Sequence, residues 1–251
     1  MKPDIVSLKQ FLPLAVRDRF RPAWQSGLRA WRESRWSTKP VEWHETRDRV
    51  RQETDVEKLF ELAGSEFGIT QVPGEIIALI GLLRNLEPRT LVEIGTHKGG
   101  NSFLFCHSLP SAKVLVGVDL CVQNAEKLIY FARPGQRYHA LHGDSQKVQM
   151  RHRVCRSLGN TAVDFLFIDG DHRYAGVKAD FELYAPLVRS GGLIALHDIV
   201  PDHHTRFGRE TGCDTGEVHR LWAELKRTED CTEIIADPDQ DGFGIGVIHV
   251  R

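Results

Sequence analysis

Two apolar runs that break off abruptly into acids and histidines constrain this chain more than any other feature. The first is Asp164-Phe-Leu-Phe-Ile-Asp-Gly-Asp-His172, and the second is Leu193-Ile-Ala-Leu-His-Asp198. Four or five consecutive apolar residues bounded in this way read as a strand buried on both faces, as in a parallel sheet. The polar residues then stand at the carboxyl end of the strand, where open α/β sheets place their ligands. The two strand ends lie about 28 positions apart, enough for a crossover helix between neighbouring parallel strands. The pattern therefore puts Asp169, His172, His197 and Asp198 on one rim.

The remainder of the chain agrees with such a sheet. Strands are expected at 90–94, 114–119, 137–142, 163–168, 193–196, 232–236 and 244–250. Helices are expected at 101–108, 125–131, 146–158, 174–188 and 216–227. This β-α alternation predicts an α/β fold with a mostly parallel sheet covered by helices on both faces. Ser190-Gly-Gly192 reads as a helix stop and turn before the next strand. Upstream, Thr54-Asp-Val-Glu57 reads as a capping box. Pro73-Gly-Glu75 opens a helix that is apolar on most sides and so belongs in the interior.

Residues 1–52 differ in character. They are rich in arginine and carry Trp24, Trp31, Trp36 and Trp43. Phe20, Trp24, Leu28 and Trp31 fall on one helical face. Such an arm can pack on its own domain or on a second subunit, cover the site as a lid, or touch anionic lipid. The expected organisation is a helical arm or lid over 1–72 and a catalytic domain over 73–251, in a homo-oligomer. A formal net charge of -1 argues against a nucleic-acid coat. Five cysteines without a C-x-x-C pair suggest neither a disulfide framework nor a zinc cluster, so the cytoplasm is the expected compartment. No apolar run reaches 18 residues and no secretory signal is expected.

Three successive strand ends outline a ligand groove. Glu93-Ile-Gly-Thr-His-Lys-Gly-Gly-Asn-Ser102 is a strand, a glycine turn and a helix start, where backbone can approach a ligand. It is neither a dinucleotide fingerprint nor a P-loop. Asp119 ends the next strand and suits both hydroxyls of a ribose. Gly143-Asp144-Ser145 ends the third, where a carboxylate suits an adenine amino group or caps a helix. With no phosphate-binding feature, the groove fits a nucleoside without a phosphate chain.

These blocks, E-I-G-T-x-x-G-G, V-G-V-D, G-D-S, D-F-x-F-I-D-G-D-H-x-Y-x-G-V-x-x-D and G-G-x-I-A-L-H-D, resemble the class I S-adenosylmethionine-dependent methyltransferases. Within them they are similar to the bacterial cephalosporin-hydroxylase-like and macrolide-sugar O-methyltransferases. The resemblance covers about residues 73–250. It implies a seven-stranded, Rossmann-like, mostly parallel sheet with the last strand antiparallel. It also implies S-adenosylmethionine held by Glu93, Gly95, Thr96, Gly99, Asn101, Ser102, Asp119, Asp144, Ser145 and Asp169. The catechol-type O-methyltransferases offer a second likeness, with a metal held at the ends of strands four and five. That likeness implies a divalent cation, Mg²⁺ or Mn²⁺, on Asp169, His197 and Asp198, with His172 as base. The departure is His197, where that family has an acid, and Asp198, where it has an amide.

Methyl transfer to oxygen needs a hydroxyl that loses its proton while held in line with the sulfonium methyl. A neutral histidine suits that task near pH 7, and a cation would orient the acceptor and lower its pKa. The expected catalytic residues are His172 and Asp169, acting on a hydroxylated small molecule such as a sugar or natural product. Pro201-Asp-His-His-Thr-Arg206 is placed to border the acceptor pocket, with His203 and His204 in a solvated loop. Two other readings stand beside this one. His172, His197 and one aspartate could form an iron site for an oxygenase, or the fold could serve assembly or lipid contact without catalysis.

Overall fold

The computed structural model of the chain describes residues 40–213 and 215–251. The expected helical face on Phe20, Trp24, Leu28 and Trp31, and Trp36 with it, lies outside the described residues. The chain divides into two compact units, 1–49 and 50–251. Helix α1, Pro40–Gln52, runs across that boundary. All seven strands belong to the second unit, together with the segment 50–72.

Strands β1 (Thr90–Ile94), β2 (Val114–Asp119), β3 (Arg137–His142), β4 (Val163–Ile168), β5 (Val188–His197), β6 (Cys231–Ile234) and β7 (Ile245–His249) form one sheet. Its order is β3-β2-β1-β4-β5-β7-β6. Strands β1 to β5 pair in parallel, while β7 runs antiparallel to both β5 and β6. The order reverses between β1 and β4, which opens a crevice at their carboxyl ends.

Helices α2 (Val56–Glu66), α3 (Pro73–Leu86), α4 (Gly100–Ser108), α5 (Ala125–Phe131), α6 (Val148–Ser157), α7 (Tyr174–Tyr184), α8 (His203–Phe207) and α9 (Val218–Leu225) complete the second unit. Alternate residues of the central strands face opposite layers. Val92, Ile94, Leu166, Ile168, Ile194 and Leu196 pack with Met150 and Val154 of α6, Val177 of α7 and Leu221 and Trp222 of α9. On the other face, Phe105 of α4 meets Phe165 and Phe167 edge-on, with ring centroids 5.5 and 5.6 Å apart. Edge-to-face pairs of this kind add to the gain from burial. The strands are thus apolar on both sides, which is why their sequence lacks alternation.

Three local expectations are revised. The cap of α2 is Asp55, whose carboxylate accepts the Glu57 N–H at 2.9 Å; Thr54 stands one residue too early because the Glu53 carboxylate holds its amide instead. Ser190-Gly-Gly192 lies inside β5, which starts at Val188 with a register shift against β4. Gly191, at φ +72°, absorbs that irregularity within the strand. Residues 203–207 form the short helix α8, capped by Asp202. No helix among the described residues is long and apolar enough to cross a membrane.

Buried Glu75 ties two distant parts of this unit together. Its carboxylate accepts the amides of Ala236 and Gly244 and the Gln240 side chain. The β6–β7 connection is thereby fixed to α3.

Candidate active site

The rim is built by the turns that follow β1, β2, β3, β4 and β5. At the end of β1, Gly95 has φ +94°, and a Cβ there would run into the Asp169 carbonyl. Only glycine lets the ends of β1 and β4 come this close. Glu93 lies beneath that turn, 4% exposed, with its carboxyl bonded by the Ser102 hydroxyl. Burial pushes its pKa up to about 8, against the lowering effect of Ser102. Ser102 also meets the Tyr138 hydroxyl at 2.8 Å. Glu93 and Ser102 therefore serve each other. Thr96 and Asn101 are buried beside them, and Asn101 Oδ1 has no hydrogen-bond partner among the described residues. Gly99 sits in the left-handed region at the N-cap of α4.

Asp119 ends β2 and accepts the amides of His97 at 2.8 Å and Cys121 at 2.6 Å. These bonds orient its carboxylate at the sheet edge. After β3, Asp144 accepts the Gln146 amide at 3.0 Å, and the Ser145 carbonyl takes the Tyr184 hydroxyl at 2.8 Å. Asp180 of α7, which closes the block begun at Asp164, is fully buried behind this loop. Burial, with Asp171 and Asp144 adding to it, pushes its carboxyl up to about 7.

The ends of β4 and β5 bring four polar groups together. His172 Nε2 is 3.6 Å from Asp169 Oδ1, and its Nδ1 is 3.4 Å from Asp198 Oδ2. His197 Nδ1 lies 3.2 Å from Asp169 Oδ1 and 3.4 Å from Asp198 Oδ2. Burial opposes charge on His197, but the two carboxylates outweigh it and hold the imidazole up to about 10. His197 and His172 in turn outweigh the burial of Asp169 and keep its carboxyl well below the usual range. Asp198 adopts φ +63°, a strained conformation of the kind that collects at functional sites.

Asp169, His172 and Asp198 place one ligand atom each within 4.8 Å of one another. The two carboxylates suit a divalent cation such as Mg²⁺ or Mn²⁺, with the His172 imidazole beside them. His197 instead spans the two carboxylates from the interior. His203 and His204 stand apart from this group. The His203 amide and ring are tied to Asp241 and to the Asp239 carbonyl, at 2.6 and 2.9 Å.

Two neighbours of the site escape a reading of the sequence. Gln71, 9% exposed, donates from Nε2 to Asp169 Oδ2 at 3.1 Å, while its Oε1 has no partner among the described residues. Phe243 packs its ring 5.9 Å from that of His197 and holds φ +61°. Neither belongs to a local motif. The aromatic between two glycines in Asp241-Gly-Phe-Gly244 is the one available hint.

Residues 92–199 match the family described as a methyltransferase domain. This stretch is similar to the methyltransferase domains. The chain is 29% identical over 175 residues to uncharacterized protein y4gI of Sinorhizobium fredii, covering 65% of the chain and 18% of that relative. It is 34% identical over 117 residues to uncharacterized protein R132 of Acanthamoeba polyphaga mimivirus, covering 43% of the chain and 51% of that protein. The chain thus spans about half or less of the length of these curated relatives.

Solved structures share the fold of this chain. An O-methyltransferase from Bacillus cereus in complex with SAH superposes with a TM-score of 0.54 at 18% identity, over 79% of this chain and 91% of that one. The O-methyltransferase TomG from Streptomyces achromogenes, involved in tomaymycin synthesis and in complex with SAM, gives 0.55 at 19%, over 79% and 91%. The MycE methyltransferase of the mycinamycin biosynthetic pathway, in complex with Mg, SAH and mycinamycin VI, gives 0.53 at 16%, over 79% and 55%.

Proposed function

We propose that this methyltransferase moves a methyl group from S-adenosylmethionine to a hydroxyl of a small molecule, a sugar or natural product, with the help of a divalent cation. The observation that carries the reading is the meeting of Asp169, His172 and Asp198 at the ends of β4 and β5, beside the polar ends of β1, β2 and β3. The buried atoms Asn101 Oδ1 and Gln71 Oε1, without partners among the described residues, fit a polar ligand on the β1 side of the crevice. Structures of similar fold solved with SAM or SAH, and with Mg in MycE, support the same choice.

S-adenosylmethionine would supply the methyl as a sulfonium substituent, and the cation would lower the pKa of the acceptor hydroxyl. The chain's own groups do the rest. Asp119, held by two backbone amides, would accept the ribose hydroxyls, and Asp144 would border the base. Gly95, Thr96, Gly99 and Asn101 line the turn that bears the amino-acid end. Asp169 and Asp198 would hold the cation, and His197, spanning the two carboxylates, would fix their positions. His172 takes the acceptor proton on a ring nitrogen, and a carboxylate beside its other nitrogen steadies the charge that results. A base so placed contributes roughly 10²–10⁴-fold. The protein would be homo-oligomeric and cytoplasmic.

Calorimetry with S-adenosylmethionine tests the first half of this reading. Absence of binding at millimolar ligand would end it. Mn²⁺ titration followed by electron paramagnetic resonance tests the second. Wild type and the His172→Ala variant should bind the ion alike, and the Asp169→Asn variant should lose it. Loss of the ion in His172→Ala would make His172 a ligand in place of a base.

A further inference from the structure

His172 sits in the turn between β4 and α7, and its position is set from the far side of the sequence by the start of α9. The Glu217 amide donates to the His172 carbonyl at 2.6 Å. One carboxylate oxygen of Glu217 accepts the Tyr174 amide at 3.0 Å, and the other pairs with Arg220. The preceding residue, Gly216, has φ +59°. A Cβ there would lie 2.7 Å from His172 Cβ and 2.9 Å from its carbonyl carbon, and closer still to its oxygen. Backbone and side chain of 216–217 thus grip the histidine turn on both sides of residue 173. The turn is braced on its other flank as well, where Gln146 Nε2 donates to Asp171 Oδ2 at 3.1 Å.

We infer that Gly216 and Glu217 are positioning residues that set the His172 imidazole between Asp169 and Asp198. A side chain at 216 needs a left-handed backbone, costly for any residue but glycine, and space that His172 already fills. Its insertion would drive the His172 backbone outward. The ring atoms stand only 3.4 and 3.6 Å from their carboxylates. A shift of the backbone on the order of 1 Å is enough to spoil a reacting geometry. Glu217 contributes in a separable way, through its amide to His172 and its carboxylate to Tyr174. The inference rests on the reading of His172 as a working residue of this site, but the position it describes is measurable by itself.

The test is the ring ¹⁵N spectrum of the histidines in the full chain. His172→Ala assigns the His172 signals by their loss. Gly216→Ala and Glu217→Ala should displace those signals and leave histidines remote from the start of α9, such as His107 and His249, in place, with S-adenosylmethionine affinity within about twofold of wild type. Glu217→Gln keeps an acceptor for the Tyr174 amide and should restore the wild-type spectrum. Gly212→Ala has open space around it and should change nothing. Unmoved His172 signals in both Gly216→Ala and Glu217→Ala overturn the inference. So does a displacement of all histidine signals together, which marks a general loss of structure. Displaced signals combined with full methyl transfer by His172→Ala would leave the positioning intact and remove the base role.

Discussion

His197 and Asp169 face each other across β5 and β4, Nδ1 to Oδ1 at 3.2 Å, with the imidazole 4% exposed. Burial alone would strip the proton from this ring, yet Asp169 and Asp198 hold its pKa up to about 10. A buried positive group thus sits where two carboxylates converge. Breaking a buried pair by removing one partner costs about 3–5 kcal/mol, because the other charge is left without compensation. His197→Ala should therefore lower the melting temperature markedly. Millimolar Mn²⁺ should return part of the loss, and more than it adds to wild type, since a ligand that binds only the folded state stabilises it. Thermal denaturation with and without the ion checks this. Equal stability of variant and wild type would sink it.

Asp119→Ala should weaken S-adenosylmethionine binding at least about tenfold, or about 1.4 kcal/mol. The carboxylate is fixed by the His97 and Cys121 amides, so it is pre-aimed and its loss is not made up by another group. Calorimetry on the variant gives the answer, and unchanged affinity would remove Asp119 from the cofactor site.

His172→Ala should show the opposite split. Turnover should fall by roughly 10²–10⁴-fold while cofactor affinity stays within about twofold. The assay needs an acceptor drawn from a screen of hydroxylated sugars and natural products. An unaltered rate excludes His172 as the base.

Glu93 makes stability depend on pH in a defined direction. Its carboxyl titrates at about 8 in the fold and at about 4.3 in an unfolded chain. Below the lower value both states hold the proton and stability does not change. Between the two, only the unfolded chain has released it, so stability falls as pH rises, by up to about 1.4 kcal/mol per pH unit. Above the upper value the loss is complete. Glu93→Gln cannot titrate, so its stability relative to wild type should rise from pH 5 to pH 8 in urea denaturation. A constant difference would show that Glu93 is ionised in the fold at neutral pH.

Gly246→Ala should destabilise by about 1–3 kcal/mol, the usual cost of overpacking. Its Cβ would lie 2.6 Å from three atoms of the Trp222 ring, and that indole is held by Glu233 Oε1 at 2.6 Å. The ring has nowhere to move. Urea denaturation of the variant measures the cost.

Much of the architecture is legible in the residues. Apolar runs such as Val163–Ile168 announce strands buried on both faces, and their spacing leaves room for crossover helices. Short-range detail is less secure. Asp55 rather than Thr54 caps α2, because the competing bond that the Thr54 amide donates to the Glu53 carboxylate is invisible in the pattern. Gly191 and Gly192 look like a turn but lie in β5, where backbone bonds to Val250 override local preference.

By itself, the sequence determined which residues stand at strand ends, since period and composition force an apolar run to stop where its acids begin. That was enough to gather Asp169, His172, His197 and Asp198 on one rim. Only the tertiary structure decided how the four divide their work. It put His172 between the two carboxylates and His197 behind them, brought Gln71 to Asp169 from 98 positions away, and set Glu217 against His172. Those relations depend on crossover geometry and on contacts between segments distant in the chain, and neither leaves a periodic trace in the sequence.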